Sequence, residues 1–153
     1  MKTLVIGAAI IDIIMKIKRL PKSGEDILCS ETVSTVGGCA YNVAGTLRGF
    51  GVDHDLFVPV GRGMYGDMIA GDLEKLGYQI LIREEESDNG YCLCLVEEDG
   101  ERTFITVKGA EGRFRPSWFE QLSQDAYGSI YVAGYQVCGN SGRVISGWME
   151  GAK

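Results

Sequence analysis

Residues 37–51 read Gly37-Gly38-Cys39-Ala40-Tyr41-Asn42-Val43-Ala44-Gly45-Thr46-Leu47-Arg48-Gly49-Phe50-Gly51, and the fold is decided here. Val43, Ala44, Leu47 and Phe50 recur at helical spacing, and Gly51 supplies a C-terminal stop. Just upstream, residues 27–36 (ILCSETVSTV) are rich in β-formers and partly alternate, the pattern of a strand with one wetter face. A strand that turns on two glycines into an amphipathic helix is one unit of an α/β domain.

The same change of period repeats along the chain. Thr3 to Ile6, Asp55 to Val60, Tyr78 to Ile82 and Ser129 to Ala133 read as buried strands. Tyr65 to Leu76, stopped by Gly77, reads as a helix, as does Ser141 to Met149, with a short amphipathic helix opened by Pro116. Alternation of this kind predicts a mostly parallel sheet covered by helices. Two segments depart from it. Tyr91 to Val96 and Arg102 to Val107 flank Glu97-Glu98-Asp99-Gly100-Glu101, a hairpin signal, and the region around 11–36 is likewise polar-faced. Together they predict a small β sheet projecting from the main layer.

Composition bounds the function. The 153 residues are 45% hydrophobic and 24% charged, as expected of one globular domain. Fifteen Lys and Arg against 21 Asp and Glu give a net charge of −6 with no basic run, which argues against nucleic-acid or anionic-membrane partners. Cys29, Cys39, Cys92, Cys94 and Cys138 contain no C-x-x-C pair, and His54 is the only histidine, so no metal site is expected. Reduced thiols point to a cytoplasmic location. The start imitates a signal peptide, with Lys2 before an apolar run from Leu4 to Met15. Asp12 interrupts that run, no small-x-small cleavage site follows, and the run is too short to span a bilayer, so it reads as buried strand.

Three features can carry chemistry. Gly37 and Gly38 let backbone approach a ligand closely, and Asn42 in the first helical turn can donate to and accept from hydroxyls; an ordinary turn explains the same residues equally well. Gly61-Arg62-Gly63-Met64-Tyr65-Gly66 is a literal G-x-G-x-x-G opening a helix, with Glu84, Glu85 and Glu86 near the next strand end. It reads either as a structural turn or as a dinucleotide (NAD) site, the turn being favoured because this is not the first strand-to-helix turn. Asp12, a carboxylate in an apolar stretch, either caps something or faces a ligand at the strand end. Cys92 and Cys94 share one face of a strand and read as packing. His54 reads as a solvated loop residue.

In order and spacing these blocks resemble the ribokinase-like (PfkB) family of carbohydrate and nucleoside kinases. The resemblance is carried by Gly7 with Asp12 and Leu20-Pro21-Lys22-Ser23-Gly24-Glu25, by Gly37-Gly38-Cys39-Ala40-Tyr41-Asn42 and by Val60-Gly61 with Gly66-Asp67. Gly90 through Glu101-Arg102 to Gly109-Ala110 completes it. It covers residues 1–153 and corresponds to the N-terminal half of such a kinase. It implies a Rossmann-like ribokinase fold, present in part, with β-lid strands at about 11–36 and 90–109 inserted in the α/β domain. The implied activity is ATP-dependent phosphorylation of a sugar or nucleoside hydroxyl, with Mg2+, and the implied assembly is a homodimer through the lid. Asp12, Gly37, Gly38 and Asn42 would line the sugar hydroxyls, and Cys92 would contact the ligand from the lid.

The family's Gly-Ala-Gly-Asp segment, which carries the anion hole and the catalytic base ahead of the ATP site, has no counterpart in these residues. Ala70-Gly71-Asp72 is only a partial look-alike, inside a helix where its amides are already bonded. The chain alone is therefore expected to be inactive. Gly63 stands where the family commonly has aspartate, and Gly134 where ribokinase-type members carry a sugar-binding glutamate. A non-catalytic sugar- or nucleoside-binding module is the rival reading, and an NAD-binding domain a third.

Overall fold

The computed structural model describes residues 1–151. Strand β1 (Lys2–Ile6) lies at the centre of a three-stranded sheet, parallel to β4 (His54–Phe57) on one side and β9 (Tyr127–Val132) on the other. Both faces of β1 are covered, which is why its sequence is a continuous apolar run rather than an alternating one. Val5 and Leu56 face a cluster containing Ala40, Ala44, Ile69 and Leu73. Leu4, Ile6 and Phe57 face a second cluster containing Phe114, Phe119 and Ile145. Helix α1 (Cys39–Gly49) covers the first face, and α3 (Gly139–Glu150) packs with a 3-10 helix at Pro116–Gln121 over the second.

A four-stranded sheet runs β3-β2-β7-β8, comprising β2 (Ile10–Lys16), β3 (Glu31–Gly37), β7 (Tyr91–Val96) and β8 (Arg102–Val107). Its two antiparallel pairs are joined through a parallel β2–β7 ladder. A third, two-stranded parallel sheet pairs β5 (Pro59–Gly61) with β6 (Ile82–Glu84), and α2 (Met64–Lys75) packs on β5. The mixed α/β fold with parallel core strands and a separate small sheet agrees with the sequence pattern.

Several expected boundaries are corrected. The single strand expected over 55–60 is two strands in different sheets: β4 ends at Phe57, and Pro59, which has no N–H for a ladder, begins β5. The strand expected over 78–82 is shifted to Ile82–Glu84, because Gly77 (φ +80°) closes α2 and the Tyr78 amide bonds back to the Leu73 carbonyl. Residues 27–30 stay outside β3. The apolar N-terminal run is two strands, β1 and β2, in different sheets.

Phe57 is fully buried and stacks within 4.9 Å of Phe119 and 6.3 Å of Phe114. Phe57→Ala is expected to cost about 3–5 kcal/mol of unfolding free energy, read as a lowered midpoint in urea denaturation.

Candidate functional site

The site is built where the four-stranded sheet meets the start of α1. In the β2–β3 ladder Ile10 stands opposite Gly37 and Asp12 opposite Thr35. The Asp12 carboxyl group leans over Gly37. A Cβ on Gly37 would sit 3.0 Å from the Asp12 Cγ and closer still to Oδ2, so a side chain there would expel the carboxylate. Gly38 follows with φ +104°, and a Cβ on it would lie 3.1 Å from the carbonyl carbon of Ala8. Only glycine combines that dihedral with that approach.

Helix α1 then begins with no side-chain cap and no acidic residue in its first turn. The amides of its first turn have no intrahelical acceptor, so they present positive partial charge at the end of Gly37-Gly38. Asn42 lies one turn in, exposed, with its own amide donating to the Gly38 carbonyl at 3.0 Å. Asp12 is half-buried, and burial raises its pKa above the ordinary aspartate value, with no cation or donor among the described residues to oppose the shift.

Across the parallel ladder Asp12 pairs with Cys92, which in turn pairs with Thr106. Residues directly opposite in a ladder share a face, so Thr35, Asp12, Cys92 and Thr106 form one row. The Cys92 thiol is buried, and the Thr106 hydroxyl donates to its Sγ at 3.5 Å. Asp12, Gly37, Gly38 and Cys92 therefore lie together at one junction, and Asn42 stands on the adjoining helical turn. Thr35 and Thr106 were not singled out from sequence. Thr35 is placed by the antiparallel β2–β3 register, and Thr106 by the hairpin at Asp99-Gly100 together with the parallel β2–β7 pairing, which only the tertiary structure shows.

The remaining candidates are spoken for by the protein itself. The G-x-G-x-x-G segment does not form a dinucleotide site, because the amides of Tyr65 and Gly66 at the start of α2 donate to the Asp88 carboxylate at 3.1 and 2.6 Å. Where a pyrophosphate would rest, an internal carboxylate already sits. The three glycines serve packing, since a Cβ on Gly61 or Gly66 would enter the Asp88 loop or the Gly61 carbonyl. Glu84 belongs to neither a solvated loop nor a ribose site. It is buried, 2.8 Å from Arg115. Asp72 lies within α2 and accepts the Tyr41 hydroxyl at 2.5 Å; burial first, and that bond second, push the Tyr41 pKa up to about 12. His54 is a β4 residue rather than a solvated one, with Nε2 2.8 Å from the Tyr78 hydroxyl and Nδ1 2.7 Å from the Val52 carbonyl. Among the described residues, no three His, Cys, Asp or Glu side chains are grouped to hold a metal ion.

Polar side chains that sequence reading missed hold the junction from beneath. The Asn89 carboxamide is buried, accepting from the Gly61 amide at 2.7 Å and donating to the carbonyls of Ala9 and Pro59 at 3.2 and 3.0 Å. Glu111 is likewise buried and accepts two backbone amides. No periodicity announces either residue.

The model of the pfkB family carbohydrate kinases matches residues 1–142. The chain belongs to this family. An uncharacterized sugar kinase of Escherichia coli, YegV, is 38% identical over 147 residues, covering 96% of this chain and 46% of the relative. Ribokinase of Giardia lamblia superposes with a TM-score of 0.85 at 22% identity, over 97% of this chain and 49% of that one. Arabidopsis thaliana ribokinase, solved with ribose and ATP, superposes with a TM-score of 0.70 at 25% identity, over 88% and 45%. The chain thus spans about half the length of these relatives. In this chain the G-x-G-x-x-G segment packs against Asp88 and is not a nicotinamide fingerprint.

The raised pKa of Asp12 has a definite sign. The folded state binds that proton more tightly than the unfolded state, so this group favours folding at acid pH, and that contribution is lost as pH rises through the raised pKa. Asp12→Asn is therefore expected to raise the urea midpoint at neutral pH and to leave it nearly unchanged at about pH 3, where the wild-type carboxyl is already protonated.

Proposed function

We propose that this chain supplies the acceptor pocket and the covering sheet of a kinase that transfers a phosphoryl group from ATP to a hydroxyl of a sugar or nucleoside. One observation carries the reading: Asp12, a half-buried carboxylate with no partner among the described residues, leans over Gly37 beside the uncapped start of α1. A ligand hydroxyl supplies what each group lacks. Its O–H donates a hydrogen bond to the Asp12 oxygen, and its lone pairs accept from first-turn amides or from the Asn42 amide nitrogen.

In this reading Asp12, Gly37, Gly38 and Asn42 bind the hydroxyls, and Cys92 meets the ligand from β7. Residues 1–153 form the N-terminal part of the α/β domain, with the inserted strands at about 11–36 and 90–109 acting as a lid. Such a lid excludes water, so that the donor's phosphoryl group meets the acceptor and not solvent. Family membership and the Arabidopsis ribokinase complex with ribose and ATP support a sugar acceptor and ATP as donor, and Mg2+ as the companion of ATP is part of the proposal.

The residues described here do not fit the nucleotide. The α2 N-terminus is filled by Asp88, and Asp72 is engaged by Tyr41 inside a helix. No step through ATP, and no base for the acceptor hydroxyl, is assigned to them. A homodimer through the outer strands β3 and β8 is part of the proposal, supported by exposed Val33, Phe104, Ile105 and Val107. A cytoplasmic setting is supported by five free cysteines, and among the described residues no helix is long and apolar enough to cross a membrane.

Calorimetric titration of the chain with D-ribose, D-fructose and adenosine tests the pocket, and transfer from labelled ATP by the product of the uninterrupted gene tests the reaction. Saturable binding of one ligand is expected, weakened about 10–100-fold in Asp12→Asn or Asn42→Ala. Binding without any transfer would leave a non-catalytic binding module, and binding that is unchanged in Asp12→Asn would overturn the assignment of the pocket.

A further inference from the structure

The four-stranded sheet and the α/β layer exchange backbone at a small knot of residues, and one buried carboxylate takes a central place in it. Glu111 follows β8 by four residues and is 4% exposed. Its Oε2 accepts the Gly90 amide at 2.8 Å, and its Oε1 accepts the Gly109 amide at 2.9 Å. Gly90 is the residue before β7, and Gly109 follows β8 by two. Both roots of the β7–β8 hairpin are thus held by the two oxygens of one side chain.

The same point reaches β2. The Gly90 carbonyl accepts the Ile11 amide at 3.3 Å, one residue before Asp12, and the Ala110 amide bonds to the Asp88 carbonyl at 2.9 Å. The roots touch backbone to backbone: a Cβ on Gly90 would lie 2.8 Å from the Gly109 nitrogen. Such closeness leaves room for neither a side chain nor a water molecule, so the two amides need an acceptor supplied from the side. A carboxyl side chain offers two acceptor oxygens set apart from each other, which suits two amides arriving from different roots. Glu111 takes part in none of the described ion pairs, and these two amides are its hydrogen-bond partners.

We infer that Glu111 is a positioning residue that sets the angle of the four-stranded sheet against the α/β layer, and with it the placement of Asp12 and Cys92 over Gly37 and the start of α1. Without it, the paired strands keep their ladders but pivot on the glycines at their roots. The inference concerns the geometry of the junction and does not depend on which ligand, if any, the pocket takes.

The test places spin labels, carried by a genetically encoded ketone amino acid, at exposed Glu98 in the β7–β8 turn and exposed Glu74 on α2. The distance distribution is then measured by double electron–electron resonance in the 153-residue protein. The wild-type background should give one narrow distribution. Glu111→Ala should at least double its width while far-UV circular dichroism stays native. Glu111→Gln, which keeps one acceptor but turns a donor toward the second amide, should fall between them. A wild-type distribution in a natively folded Glu111→Ala protein would overturn the inference. If Glu111→Ala does not fold, Glu111→Gln decides, with broadening in support and a wild-type distribution against. Neither arm uses a substrate, so a failure of the kinase reading would leave this result standing.

Discussion

Wherever a chain passes between two sheets, its peptide groups leave one ladder before joining the next, and buried groups left unpaired are costly. That constraint governs this molecule, because at the roots of β2, β3, β7 and β8 the chain passes between the four-stranded sheet and the rest of the fold. The answer is a set of side chains that imitate backbone. Asn89 supplies one acceptor and one donor to β5 and a second donor to the Ala9 carbonyl before β2, Glu111 supplies two acceptors, and Asp88 supplies the start of α2. Glycine at 37, 38, 90 and 109 permits the approach that makes these short bridges sufficient.

The chemistry of the junction follows from which groups that packing consumes and which it leaves over. Two helices begin near glycine-rich turns. At α2 an internal aspartate takes the amides, so that end binds nothing further. At α1 no side chain among the described residues caps the first turn, and among the same residues the nearby carboxylate, Asp12, has no partner. Complementary unsatisfied groups are side by side, held apart by the geometry of Gly37 and Gly38. A polyhydroxylated ligand suits such a place because each hydroxyl is both donor and acceptor.

Much of this was legible in the residues. The β7–β8 hairpin lies where its Asp-Gly turn and alternating strands place it, and α1 and α2 follow their apolar spacing to within a residue or two. Legibility failed where one apolar run serves two sheets. Residues 55–60 carry no punctuation except Pro59, and the division there is made by which neighbour each half can pair with. It failed also for isolated polar residues. Glu84 among three glutamates, and His54 in an Asp-rich segment, look solvated until Arg115 and Tyr78 arrive from distant parts of the chain.

The sequence by itself determined the alternation of strand and helix, the hairpin and the glycine turn before α1. These are local properties, written in periodicity and in the dihedral freedom of glycine. Only the tertiary structure decided that Asp12 and Cys92 share a row with Thr35 and Thr106, that Asp88 closes the α2 N-terminus, and that Asn89 and Glu111 hold the sheet roots. Those facts depend on hydrogen bonds between residues tens of positions apart, whose partners are chosen by packing and leave no trace in local spacing.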